Sequence, residues 1–154
     1  MTEVVIKKLT EDNFSEFVNL IEKLAGYEKL KSPDEDAKIR LFNDAFSDNP
    51  KYEAYIAYIN GSPAGYITFY FTYSTFLAKS TLYLEDIFVL EEYRKQGVGR
   101  KLFDFCRSVA KSRGCGRMDW TVLTWNEPSI KFYENQGAER QDWYLYRLDG
   151  DKLV

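Results

Sequence analysis

The sequence predicts an α/β fold: a mixed, mostly antiparallel sheet with one parallel crossover and helices on its faces. Three observations predict it. Residues 82–110, LYLEDIFVLEEYRKQGVGRKLFDFCRSVA, read as a buried strand, a basic glycine turn and an amphipathic helix. Two strand-like runs, 52–59 and 64–73, meet through Asn60-Gly61, a strong hairpin signal. A further strand at 117–123 completes a β-α-β unit, whose connection is long enough to require a parallel, right-handed crossover.

The elements follow in order. Val4, Val5 and Ile6 centre a first short strand over 3–8. Cap candidates at 10–13 precede the helical stripe Phe14, Phe17, Val18, Ile21, Leu24 and Ala25. Ser32-Pro33-Asp34-Glu35 predicts a second helix capped by Ser32, with Pro33 at its first position and acids against its dipole. That helix runs through Leu41 and stops near Pro50. After the hairpin, 74–80 is a loop with Phe76 outward. The glycine-turn helix ends at Arg113-Gly114. Asn126-Glu127-Pro128-Ser129 opens a last helix that Gly137 closes, and 143–148 is a final strand.

The chain has 154 residues, enough for a proper core, and we read 1–154 as one domain. Its first ten residues lack the apolar core of a secretory signal, and no apolar run reaches the roughly 18 residues of a membrane span. A cytoplasmic protein with no membrane partner is the expectation. The net charge of −3 argues against a nucleic-acid partner and accords with a cationic substrate. Cys106 and Cys115 form no CxxC pair and read as reduced structural thiols. There is no histidine at all. That absence excludes Ser-His-Asp and Cys-His catalysis and disfavours a transition-metal site. Acid–base work must fall to Glu, Asp, Tyr, Lys, Cys or water.

The turn at 94–99, Arg-x-x-Gly-x-Gly, offers free backbone N–H groups and the positive end of a helix dipole, which suits a phosphate. It is neither of two familiar phosphate motifs. A dinucleotide fingerprint needs a third glycine where Leu102 stands, and a P-loop's GxxxxGK[ST] is absent.

Placed between that strand and that helix, Arg94-x-x-Gly97-x-Gly99 resembles the acetyl-CoA signature of the GNAT N-acetyltransferases. The segments TYSTFLAKSTLYLEDIFVLEEYRKQGVG (72–99), WNEPSIKFYENQGA (125–138) and AGYEK (25–29) resemble those of the spermidine/spermine N-acetyltransferase family. The resemblance implies acetyl transfer from acetyl-CoA to an amine, by direct attack in a ternary complex. It implies that Lys95, Gln96, Gly97, Val98, Gly99 and Arg100, with Arg94, hold the pyrophosphate. It implies that a bulged central strand offers the backbone of Ile87, Phe88 and Val89 to the pantetheine arm. Tyr133 matches the family's general acid and also a cofactor contact, and Asn126 and Ser129 match cofactor contacts. Both of the latter also suit helix capping.

On the acceptor side, adjacent Glu85 and Asp86 should face opposite sides of the sheet, and the resemblance selects Glu85 as the cleft acid that receives the amine's proton. Tyr27 and Glu28 match further substrate contacts, with Asp119 and Trp120 as additional candidates. Polyamine-selective members carry an acid and a tryptophan where this chain has Ser74 and Phe76. That departure resembles relatives that prefer thialysine or other lysine-like amines. A homodimer is implied by the resemblance. Two other readings stay open at this point: acetylation of a protein N-terminus or lysine, and a non-catalytic CoA-binding module.

Overall fold

The computed structural model describes residues 2–154, and among these the chain forms five strands and four α-helices. In order they are β1 (Val4–Lys8), α1 (Phe14–Glu28), α2 (Glu35–Ala45), β2 (Glu53–Ile59), β3 (Ser62–Ser74), β4 (Lys79–Val89), α3 (Val98–Ser112), β5 (Arg117–Asp119) and α4 (Glu127–Asn135). The strands form one sheet in the order β1-β2-β3-β4-β5. The first four pair antiparallel, and β5 joins β4 in parallel through the α3 crossover. The chain divides into two compact units, residues 1–120 and 121–154.

In the first unit the two faces of the sheet are covered differently. Alternating side chains send Ile56, Tyr58, Tyr66 and Phe88 to one face, where they form a buried cluster with Phe17, Leu20 and Leu24 of α1. Tyr55 lies on the opposite face, its ring 4.6 Å from that of Phe105 in α3. Val98, Leu102, Phe103, Cys106 and Ala110 bury the α3 stripe. Arg113, just past α3, bonds both oxygens of Glu53 in β2, at 2.7 and 2.8 Å. This fork-to-fork pair is worth about 0.5–1 kcal/mol at a part-exposed site.

Several sequence expectations hold. Asn60 and Gly61 have φ of 50° and 79°, the positive values that a two-residue hairpin turn needs. Gly114 and Gly137, at 68° and 85°, follow α3 and α4. Other boundaries move. α2 is capped by Asp34, whose side chain accepts from Ala37 N, and not by Ser32. The carboxylate reaches the third residue ahead in the usual capping geometry, leaving Pro33 outside the helix. β5 stops at Asp119 instead of 123.

The second unit contains α4 and the chain that follows. Residues 138–149 carry no helix or strand, so the strand expected at 143–148 is not formed. Its run of aromatic and large apolar residues suits a strand, but a strand also needs a neighbour to satisfy its backbone. No helix among the described residues is long and apolar enough to cross a membrane.

Candidate active site

The site begins with an irregularity in β4. Thr68 pairs with Asp86, but the next residue of β3, Phe69, pairs with Leu84, so Glu85 is an extra residue on β4. Such a bulge sets two residues against one and breaks the alternation of faces. Thr68 and Tyr70 lie two apart on β3 and share a face, while their partners Asp86 and Tyr83 lie three apart. Glu85 and Asp86 therefore do not face opposite sides as the simple alternation predicts. Glu28, at the C-terminal end of α1, feels the charge of Glu85 and in turn raises Asp86, so both strand acids lie toward α1.

This places three carboxylates in one neighbourhood, though not in an arrangement able to hold a metal ion. Glu85 is exposed, and Glu28 and Asp86 are half-buried. Burial, and secondarily the Glu85 charge, pushes the Glu28 carboxyl upward. Burial pushes Asp86 up to about 6, helped by the charges of Glu85 and Glu28 and opposed by a hydrogen bond from Thr68 Oγ1, 2.9 Å away. Tyr66 is completely enclosed beside it. Its hydroxyl is close enough to feel the Asp86 charge, yet it makes no hydrogen bond of acceptable geometry. An unmet buried hydroxyl costs about 1–3 kcal/mol, so this one stands out. Burial first, then Asp86 and Glu28, raises its pKa well above that of an ordinary phenol. Burial and the Glu85 charge likewise raise Tyr70.

The same strand has an open edge. β5 pairs with β4 only from Thr81 to Tyr83, so beyond Tyr83 that edge of β4 has no strand partner among the described residues. Ile87, Phe88 and Val89 pair on their other side with Ile67, Tyr66 and Gly65. Apart from Val89 O, which accepts from Arg94 Nε, their backbone groups on the open edge are available to an extended ligand arm.

At the end of β4, Lys95 and Gly97 have φ of 61° and 82°. Gly97 caps α3 with no side chain bonded over the helix end. The N–H groups of Val98, Gly99 and Arg100 precede the first intrahelical bond, from Lys101 N to Gly97 O at 3.0 Å, and so have no partner within the helix. Lys95, Gln96, Gly97, Arg100 and Lys101 line a groove of about 790 Å³ here, with Asp104, Thr2 and Glu3. Cationic side chains around uncapped amides fit a pyrophosphate.

The chain matches the acetyltransferase (GNAT) family over residues 11–138. It belongs to that family. It is 33% identical to the thialysine N-epsilon-acetyltransferase of Sus scrofa, across 99% of this chain and 96% of that protein. It is 32% identical to the human spermidine/spermine N(1)-acetyltransferase-like protein 1, across 90% of this chain and 21% of that longer protein. The solved structure of a V. cholerae integron cassette protein matches with a TM-score of 0.80 at 25% identity, covering 99% of this chain and 96% of that one. The chain is accordingly an acetyl-CoA-dependent amine N-acetyltransferase.

In this GNAT acetyltransferase the remaining predicted residues are placed as follows. Arg94 does not line the groove of the glycine turn. Its Nε donates to Val89 O at 3.1 Å, and its guanidinium lies 5.0 Å from the Tyr27 ring and 6.0 Å from that of Phe88. The two aromatic faces hold the cation on the α1 side, in a second groove of about 630 Å³ lined also by Glu16, Lys23 and Glu91. Ser74 is buried, and its hydroxyl accepts from Leu77 N, tightening the loop that leaves Phe76 fully exposed. Asp119 pairs with Arg117 at 3.4 Å, and Trp120 meets Phe103 edge-on at 5.4 Å.

In the second unit, Asn126 is buried and its side chain accepts from Ser129 N, capping α4. Pro128 stands in the first turn, as its fixed φ favours. Tyr133 is half-buried on α4, its ring 5.5 Å from that of Phe132.

Sequence reasoning missed Tyr66 and Thr68. Their signal was weak: two hydroxyl side chains, two residues apart, among several in the strand opposite Leu84-Glu85-Asp86. Without the bulge the pairing that joins them to Asp86 is not recoverable.

Proposed function

We propose that this acetyltransferase moves the acetyl group of acetyl-CoA onto the side-chain or terminal primary amine of a small cationic acceptor. A lysine-like amino acid such as thialysine is the first choice and a short diamine or polyamine the second, with direct attack in a ternary complex and 1–154 acting as one domain. The observation that carries the reading is the bulge, which gathers Glu28, Glu85 and Asp86 on one face beside Tyr27 and next to the open edge of β4. Three carboxylates attract an ammonium group, and the thialysine relative supports the choice of acceptor.

Acetyl-CoA, when bound, supplies an activated thioester. The amides of Gly97 to Arg100, with Lys95 and Arg100, would hold its pyrophosphate, and the β4 edge at 87–89 would hold its arm. Arg94 fixes Tyr27 against the end of β4. Glu85 meets the ammonium and begins its deprotonation through water, so that the amine attacks as a neutral nucleophile. Tyr133 donates its phenolic proton to the departing sulfur and recovers one from the acylated nitrogen. A phenol (reference pKa about 10) stays protonated at neutral pH and can serve a thiolate whose acid lies near 8.5. The large apolar side chains Trp143, Tyr144, Leu145, Tyr146 and Leu148 are 66–89% exposed, which supports a homodimer that covers them.

The test is thiol release from acetyl-CoA across thialysine, lysine, ornithine, putrescine, spermidine, spermine and short peptides. Turnover with the small amines, best with the amino acids, is expected. Turnover with peptides alone, or CoA binding without turnover of any amine, would overturn the reading.

A further inference from the structure

Two polar side chains of β3 have no part in the reading above, and both face Asp86. Thr68, cross-strand from it, donates its hydroxyl hydrogen to Asp86 Oδ2 at 2.9 Å. Tyr66, two residues earlier on the same face, is wholly buried with its hydroxyl unmet. Tyr66 Oη lies beside the same carboxylate, and Glu85 on the bulge is its charged neighbour on the strand. Thr68 holds the Asp86 carboxylate in place from the other side. The titratable groups facing Asp86 are Tyr66 of β3, Glu28 of α1 and Glu85 of its own strand.

We propose that Asp86 is the resting place of the proton that the acceptor amine loses, with Tyr66 and Thr68 as the positioning residues that set its proton affinity. The proposal rests on the amine-acetyltransferase reading and deepens it. The substrate enters as an ammonium ion. One N–H bond breaks, its electron pair stays on nitrogen, and the proton passes through water at Glu85 to Asp86, forming the neutral carboxylic acid. The neutral amine then attacks. The second nitrogen proton replaces the one Tyr133 gives to sulfur, so the net yield is the amide, the free thiol and one proton on Asp86, later lost to solvent. Burial suits Asp86 to the task. A carboxyl titrating near 6 holds a proton close to neutral pH better than an ordinary aspartate titrating near 4.

The signs of the perturbations make the proposal testable. Thr68 stabilises the ionised carboxylate, so Thr68→Val should move the acidic limb of kcat/KM upward by about 0.5–1 pH unit. Tyr66→Phe keeps the ring packing and removes the hydroxyl beside the carboxylate, which favours its ionised form, so it should move the limb the same way by less. Glu85→Gln removes a neighbouring negative charge and should move it downward. Asp86→Asn should abolish the limb and lower kcat about 100-fold, within the usual range for a proton acceptor. Carbon-13 titration of the aspartate carboxyls in the free enzyme, assigned by the signal Asp86→Asn lacks, should show one midpoint near 6. A limb that stays put in both β3 variants, a limb that persists in Asp86→Asn, or an Asp86 midpoint near 4 would overturn the proposal. Wild-type turnover with an unmoved limb defeats this inference alone, whereas no turnover with any amine defeats the proposed function itself.

Discussion

Thr68 and Asp86 face each other across β3 and β4, and the Thr68 hydroxyl donates to the Asp86 carboxylate at 2.9 Å. The pair sits where the register slips, with Glu85 as the surplus residue. Without the slip, Glu85 and Asp86 would lie on opposite faces and only one could meet α1. With it, one helix end and one strand share an acidic neighbourhood.

That burial has a stability cost of known sign. The Asp86 pKa is raised to about 6 in the folded protein, so its contribution to stability is fully present below the unfolded value near 4 and is lost as pH rises through 6. Asp86→Asn, which stays neutral, should therefore be more stable than the wild type at pH 8, by about 2 kcal/mol, and nearly equal to it at pH 4. Thermal unfolding of both proteins at the two pH values measures this. An equal difference at both would mean that Asp86 titrates as an ordinary surface acid.

Gly65 is required by the approach of two backbones. A Cβ there would stand 2.4 Å from Phe88 O and 3.2 Å from Val89 Cα. Gly65→Ala should push β3 away from β4 next to the open edge and cost more than ~2 kcal/mol, read from urea unfolding. A stability loss below ~0.5 kcal/mol would show that the strands part without strain.

Gly97 poses the opposite case, with φ of 82° and open space around its Cα. Gly97→Ala strains the backbone by about 1–2 kcal/mol without a clash. The cap either turns back, withdrawing its amides from the groove, or holds and leaves stability to bear the strain. The KM for acetyl-CoA should rise several-fold, with little change in kcat at saturation. An unaltered KM would remove the turn from pyrophosphate binding.

Tyr133→Phe retains the ring beside Phe132 and removes only the hydroxyl. Its kcat should fall at least ~10-fold, in line with the loss of one general acid, while acetyl-CoA affinity measured by calorimetry stays within about twofold. Unchanged kcat would strike Tyr133 from the acid role.

Much of the fold was legible in the residues. The stripe of α3 and its Gly97 start, the Asn60-Gly61 turn and the parallel crossover are local or length-governed features, and each was found where its chemistry pointed. Boundaries were less legible where two residues compete for one task, as Ser32 and Asp34 do for the α2 cap. The segment at 143–148 has the pattern of a strand but depends on pairing that no local pattern supplies.

For the candidate site, residue types alone were enough to mark the glycine turn, the Leu84-Glu85-Asp86 run and the Phe132-Tyr133 pair, because each is a short stretch suited to the proposed chemistry. Which acids share a face, that Arg94 lies over Tyr27, and that Tyr66 and Thr68 converge on Asp86 emerge only in the folded chain. The physical reason is the bulge. Alternation along a strand is a rule of period two, and one inserted residue reverses it for everything beyond without marking the sequence.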